Sequence, residues 1–260
     1  LLNIYNVYKL SNTLSYHFND KFDKKFSYQT KSILTSPILD LNKDSIGVIQ
    51  LINAKNKKDK IVGFNKADEE LIENFSNIIS VHIERTHLKN EMILRMIKMA
   101  ELRDPKETGP HVERVGAMSA ELYEQWALKN GIDKKEIKKD KGYLHLSAKL
   151  HDVGKIAISD LLLKKPERFN DSEFNSMKYH TVYGAQLFYN SKSELDKMST
   201  EISLRHHERW DGKGYPGKIG NIHRKTENIK FSKGLKGEEI PIFARIVRIA
   251  DVYDALMSKR

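Results

Sequence analysis

The sequence predicts an α+β chain: a small N-terminal α/β domain, a long connecting helix and a C-terminal bundle made wholly of helices. Three observations carry that prediction. Short β-type runs alternate with turn signals up to about residue 63, the apolar period becomes helical from Asn65, and beyond Pro105 every patterned stretch is helical.

In chain order, "SILTSPILDL" and "SIGVIQLINA" read as strands, with "NKDS" between them as a hairpin turn. From "NKADEELIENF", Ala67 and Asp68 open a helix with acids in its first turn, and Leu71, Phe75, Ile78 and Ile79 form one face. Helical character continues to about Leu102, where Leu88, Met92, Met96 and Met99 recur at steps of three and four. That stripe reads as core or as a dimer seam, and the length of the helix favours the seam. Next, "HVERVGAMSAELYEQWALKNG" is amphipathic and stops at Gly131. "YLHLSAKLHDVG", "EFNSMKYHTVYGAQLF", "STEISLRHHERW" and "PIFARIVRIADVYDALM" supply further helices, with no internal repeat.

Composition narrows the chemistry. Apolar residues make up 39% and charged residues 31% of the 260 positions, which suits a globular domain or two. No apolar run approaches the roughly 18 residues of a membrane span. No signal peptide is visible, and a chain that opens on Leu1 reads as a fragment. Cysteine is absent, so any metal must be held by nitrogen and oxygen; a cytoplasmic location is the expectation. The net charge of +10 comes from lysines scattered among acids, as in "DKKEIKKDK". A solvated surface that attracts small anions fits this better than a nucleic-acid groove.

Ligand-type residues fall at usable spacings. Glu107 and His111 are four apart; His151 and Asp152 are adjacent, with Lys155 one turn on; His180 stands in "KYHTVYG"; His206 and His207 precede a glycine-rich turn; Asp251 interrupts an apolar helix. Each has a bland alternative: His180 as a satisfied core histidine, Asp251 as a cap on a neighbouring helix, Glu107 and His111 as a surface contact. The His206-His207 doublet resists dismissal, because adjacent helical residues point about 100° apart and can serve two ions. Taken together in one region, the set outweighs those alternatives. His17, His82, His87, His145 and His223 lack such company and read as structural. Imidazole and carboxylate without thiolate suit iron, manganese or zinc. An aspartate beside a histidine can bridge two ions, and ions roughly 3.5–4 Å apart can promote in-line attack on phosphorus. Lys155 can donate to a phosphoryl oxygen, and Glu107 with His111 suggests a third ion.

At this point "HDVGKI", "HHERWDGKGYP" and "IPIFARIVRIADVYDAL" resemble the HD-GYP domains, a branch of the HD phosphohydrolases, over about Ile97 to Arg260. The resemblance implies a bacterial phosphodiesterase that opens cyclic di-GMP to pGpG, and on to GMP, at a di- or trinuclear centre of iron or manganese. His151, Asp152, His180, His206, His207 and Asp251 would be ligands of two ions, with Asp152 bridging, and Glu107 and His111 would serve a third. His151, Asp152 and Lys155 would form the catalytic group; Lys155, Tyr215 in "GYP" and Arg260 would contact the dinucleotide. The stretches "FSYQTKSILTSPILDLNKDSIGVIQLINAKN" and "FNKADEELIENFSNIISVHIERTHL" resemble the second half of a GAF sensor domain. The expected organisation is a partial GAF-like domain at 1–88, a connecting helix at 89–104 and an HD-type bundle at 105–260. The connecting helix and the GAF-like portion would join two copies.

Two departures from the family pattern stand out. Seventeen residues, Gly217 to Lys233, separate "GYP" from "GLKGEEIP", and read as a disordered surface loop. The chain also stops at Arg260, short of helices that the family carries. Both motivate the alternatives: a module that binds cyclic di-GMP without hydrolysing it, or a hydrolase of another cyclic dinucleotide.

Overall fold

In a computed structural model of the chain, residues 1–11, 13–104, 109–222 and 229–258 are described. They divide into two compact units, Leu1–Glu91 and Met92–Arg260. Among the described residues no helix is long and apolar enough to cross a membrane.

The first unit holds the expected strands. β1 (Leu2–Ile4), β2 (Ile33–Leu39) and β3 (Ser45–Ile52) form an antiparallel sheet in that order, with Thr35 opposite Gln50, and β4 (Ala54–Lys55) pairs with β5 (Ile61–Val62). The β2–β3 turn closes on Asp40, whose side chain accepts from Asp44 N at 2.8 Å, while Lys43 takes a positive φ of 67°. A short helix, α1 (Lys21–Phe26), precedes β2. Leu34, Phe64 and Ile72 form the small core of this unit.

α2 spans Lys66–Arg103. Its start is capped reciprocally: Asn65 Oδ1 accepts from Ala67 N and Asp68 N, and Asp68 Oδ2 accepts from Asn65 N. The expected face of Leu71, Phe75 and Ile78 points outward, each more than half exposed, because the unit buries Ile72, Ser76 and Ser80 instead. The methionine stripe divides in the same way. Met96 packs beside buried Ile93 and Ile97, whereas Met92 and Met99 are exposed.

The second unit is helical. α3 (Gly109–Lys129), α4 (Lys134–Lys149), α8 (Glu194–Arg205) and α9 (Ile242–Met257) pack around Val115, Tyr123, Leu144, Ile202 and Val247, and α7 (His180–Phe188) packs on α8. α3 ends as expected: Gly131 adopts a φ of 72° and Ile132 N donates to Ala127 O. α5 (Asp160–Leu163) and α6 (Asp171–Lys178) lie between α4 and α7, and Asn170 with Glu173 forms a capping box on α6. The 3₁₀ turn Val153–Ala157 lies so close to α7 that a Cβ on Gly154 would sit 1.9 Å from His180 O. Only glycine permits that approach, which brings "HD" against His180.

Candidate metal centre

His151 and Asp152 follow the C-terminus of α4, His180 opens α7, His206 and His207 follow the C-terminus of α8, His111 lies in the first turn of α3, and Asp251 sits on α9. Packing of these elements draws their side chains together. Asp152, His180, His206 and His207 form one group and His111, His151 and Asp251 a second, with the potential ligand atoms of each group within 4.8 Å of one another. Sequence spacing pairs His111 with Glu107; in the structure His111 stands with His151 and Asp251. Glu107 and Arg260 lie outside the described residues, as does His223.

The backbone sets the ring orientations. His151 Nδ1 lies 2.8 Å from Ala148 O and His180 Nδ1 2.7 Å from Met177 O; His206 Nδ1 lies 3.1 Å from both Ile202 O and Ser203 O. A carbonyl accepts, so each Nδ1 carries the proton and each Nε2 turns a lone pair inward. Burial pushes the His206 and His207 imidazoles down, which keeps both neutral. Burial pushes the Asp152 carboxyl up, but the Lys155 ammonium beside it pulls the other way, and the carboxyl lies well below the usual range.

The result is a collection of acceptors. Asp152 Oδ1 lies 3.1 Å from His180 Nε2 and 3.4 Å from His206 Nε2, and those two nitrogens are 3.5 Å apart. Asp152 Oδ2 faces the other way, 3.2 Å from His151 Nε2 and 2.9 Å from Lys155 Nζ. Asp251 Oδ1 is 3.5 Å from His111 Nε2 and 4.0 Å from His151 Nε2. Asp152 Oδ1 is buried and no donor reaches it. Lone pairs at such distances repel unless a cation lies among them. Ligand atoms about 2.1 Å from a shared ion lie roughly 3 to 3.5 Å apart, so the donor set fits a metal in each group, with Asp152 offering one oxygen to either side.

Beside this cluster opens a cleft of about 400 Å³, lined by Asp104, Lys155, Leu163, Phe169, Met177, Tyr215, Val252 and Leu256 together with four of the candidate ligands. Lys155 also pairs with Asp104 at 3.3 Å. Tyr215 stacks on His207, with ring centroids 4.8 Å apart, and the Lys178 ammonium lies 5.7 Å from the Tyr215 ring.

Three residues of consequence lie outside the set drawn from the sequence. Asp254 accepts from His111 Nδ1 at 2.7 Å and is gripped by Arg114 at 2.5 and 2.9 Å. His111 thus has a carboxylate behind it, where His151, His180 and His206 have carbonyls. A signal does exist for it: Asp254 follows Asp251 by three, on one side of a helix. Asp104 is hidden by its place beside Pro105. Buried Glu208 accepts from Gly217 N at 2.7 Å and Leu235 N at 2.9 Å, clasping both ends of the 217–233 segment. The expectation of a disordered surface loop is not met by the described parts of that segment, 217–222 and 229–233, and residues 223–228 lie outside the described residues. Its described parts pack Ile222 and Ile229 against Val182, Ala185 and Leu204, because its apolar residues have a helix face to cover.

The HD domain family matches residues 108–256. A cyclic di-GMP phosphodiesterase of Thermotoga maritima is 35% identical over 206 residues, covering 79% of this chain and 46% of the relative. A 3′3′-cGAMP-specific phosphodiesterase of Vibrio cholerae is 35% identical over 210 residues, 76% of this chain and 35% of the relative. The cyclic di-GMP phosphodiesterase response regulator RpfG of Xanthomonas campestris is 37% identical over 172 residues, 66% and 39% respectively. The chain spans less than half the length of each.

Proposed function

This chain belongs to the HD domain family, and on that premise we propose that it is a metal-dependent phosphodiesterase that hydrolyses cyclic di-GMP to pGpG and/or GMP. The observation that carries the reading is Asp152: a half-buried carboxylate whose Oδ1 is itself buried with no donor, set among inward-turned imidazole nitrogens. Iron or manganese suits these ligands. When bound, two such ions supply an activated water and neutralise charge on the phosphoryl group. His111, His151 and Asp251 would hold one ion and His180, His206 and His207 another, with Asp152 available to both groups, and Glu107 would serve a third.

The chain's own residues do the rest. Lys155, already in the cleft, exchanges part of its contact with Asp152 for a phosphoryl oxygen and stabilises the charge that grows there. Tyr215 braces His207 with its ring and lines the cleft where the dinucleotide enters. Arg260 would add a cation to the same substrate. In this reading residues 1–88 form a partial GAF-like domain that regulates the enzyme, 89–104 the connecting helix and 105–260 the catalytic bundle. The enzyme works in the cytoplasm as a homodimer joined through the helix and the GAF-like portion.

The test is to purify the protein without air, measure iron and manganese per chain, and incubate it with cyclic di-GMP. Two or more ions per chain and appearance of pGpG or GMP are expected; a metal-loaded protein that leaves the nucleotide intact rejects hydrolysis and leaves the non-hydrolytic binding module. A second reading, hydrolysis of 3′3′-cGAMP, is favoured by the relative of that specificity. It is decided by offering both nucleotides and comparing kcat/KM.

A further inference from the structure

Five described lysines of the second unit are buried or half-buried. Lys141 pairs with Glu121 and Glu124, Lys149 with Glu113, Lys155 with Asp104 and Asp152, and Lys165 with Glu173. Lys178, at the end of α6, is the fifth, and among the described residues no carboxylate meets it. Its ammonium donates to Asn175 Oδ1 at 2.9 Å and otherwise lies against aromatic faces. The Phe174 ring centroid is 4.6 Å away and that of Tyr215 5.7 Å. Rings attract a cation but do not neutralise it. An ammonium with one neutral acceptor keeps its charge and two further donors for an anion.

Tyr215 stacks on the candidate ligand His207, and Phe174 meets Tyr215 edge-on, with centroids 6.1 Å apart and planes at 84°. One ring thus adjoins both the ammonium and a candidate ligand. Met177, next to Lys178, and Tyr215 both line the cleft beside the candidate metal centre. Among the described residues lining that cleft Lys155 is the one lysine or arginine, and it lies against Asp152. A cyclic dinucleotide carries two phosphodiesters on opposite sides of one macrocycle. When the reacting one lies at the metals beside Lys155, the other is held away from them with its charge intact. A phosphate oxygen leaves water at low cost only where a charged donor replaces it.

We propose that Lys178, held on Phe174 and Tyr215, binds the second, unreactive phosphodiester of a cyclic dinucleotide and so favours substrates with two phosphates. The proposal rests on the phosphodiesterase reading of the preceding section and adds a substrate-binding residue at the rim of the same cleft.

The test assays the metal-loaded chain on cyclic di-GMP and on bis(4-nitrophenyl) phosphate, which has a single phosphodiester. Lys178→Met should raise KM for cyclic di-GMP about tenfold, the loss of one charged hydrogen bond, with kcat kept. Its kinetics on the single diester, its metal content and its Tm should match wild type. Lys178→Arg should bring KM back towards wild type, because it returns the charge. Lys178→Gln repeats the comparison should the methionine variant fold poorly. An unchanged KM for cyclic di-GMP overturns the proposal and leaves the phosphodiesterase standing. Equal losses on both substrates overturn it too, since they make Lys178 a support for α6 and the neighbouring His180. If wild type leaves cyclic di-GMP intact, the phosphodiesterase reading fails, and titration of the nucleotide onto both proteins decides the cation by itself. Equal Kd values then overturn its role, and a Kd about tenfold weaker in the variant upholds it.

Discussion

Asp23 in the first unit and Asp152 in the second are both largely withdrawn from solvent, and the two are treated differently. Asp23 in the first unit is 5% exposed and receives three donors: Thr30 N at 2.6 Å, Thr30 Oγ1 at 2.7 Å and Tyr8 OH at 2.8 Å. Asp152 in the second unit meets nitrogens whose protons have been drawn to the other side of their rings by backbone carbonyls. Burial therefore does not distinguish a functional carboxylate from a structural one. The supply of donors does: a satisfied group ties two segments together, and an unsatisfied one waits for a cation.

The largest test of that contrast is Asp152→Ala. It should remove detectable turnover and strip the ions, measured as metal per chain; normal loading in this variant would place the metals elsewhere. Lys155→Ala comes next. Turnover should fall about 10²–10³-fold, as for loss of one donor to a developing charge, with metal content kept. An unchanged kcat would confine Lys155 to its pairing with Asp104 and Asp152. For Asp254→Asn the expected loss is in affinity for one ion only, about 10–100-fold by competition with a chelator, since His111 keeps its place but loses the charge behind it. Equal weakening of all ions would mean that Asp254 supports the bundle as a whole.

The smallest effect belongs to Asp23. Asp23→Asn should lower the Tm of the first unit and leave metal content and kcat alone. Burial raises the Asp23 carboxyl, yet Thr30 and Tyr8 hold it below the ordinary value. A lowered folded pKa means stability that is present above the unfolded pKa of about 3.9 and lost as pH falls through the folded one. The Tm gap between wild type and variant should therefore narrow in acid below about pH 4. A gap that widened there would show that Asp23 is not held ionised by its donors.

Much of the fold and of the site is legible in the order of residues. β2 and β3 announce themselves by short apolar runs around a polar turn, and α3 by its amphipathic stripe and Gly131. The ligand types His151, Asp152, His180, His206, His207 and Asp251 are visible because imidazoles and acids in apolar stretches are costly without partners. What misleads is one-dimensional: the Leu71–Phe75–Ile78 face is apolar but outward, and the 217–233 segment looks polar yet packs Ile222 and Ile229. Asp254 and Glu208 escape notice because their roles depend on partners far along the chain or on backbone N–H groups, which leave no residue-type signature.

Residue types alone settle which chemistry is available: nitrogen and oxygen donors, no thiolate, and an aspartate joined to a histidine neighbour at the end of a helix. Helix packing settles how the donors divide, placing His111 with Asp251, 140 positions later, and turning the Nε2 atoms of His151, His180 and His206 inward. Residue types are written locally, whereas distances between segments are set by how helices pack against one another, and a metal site is defined by those distances.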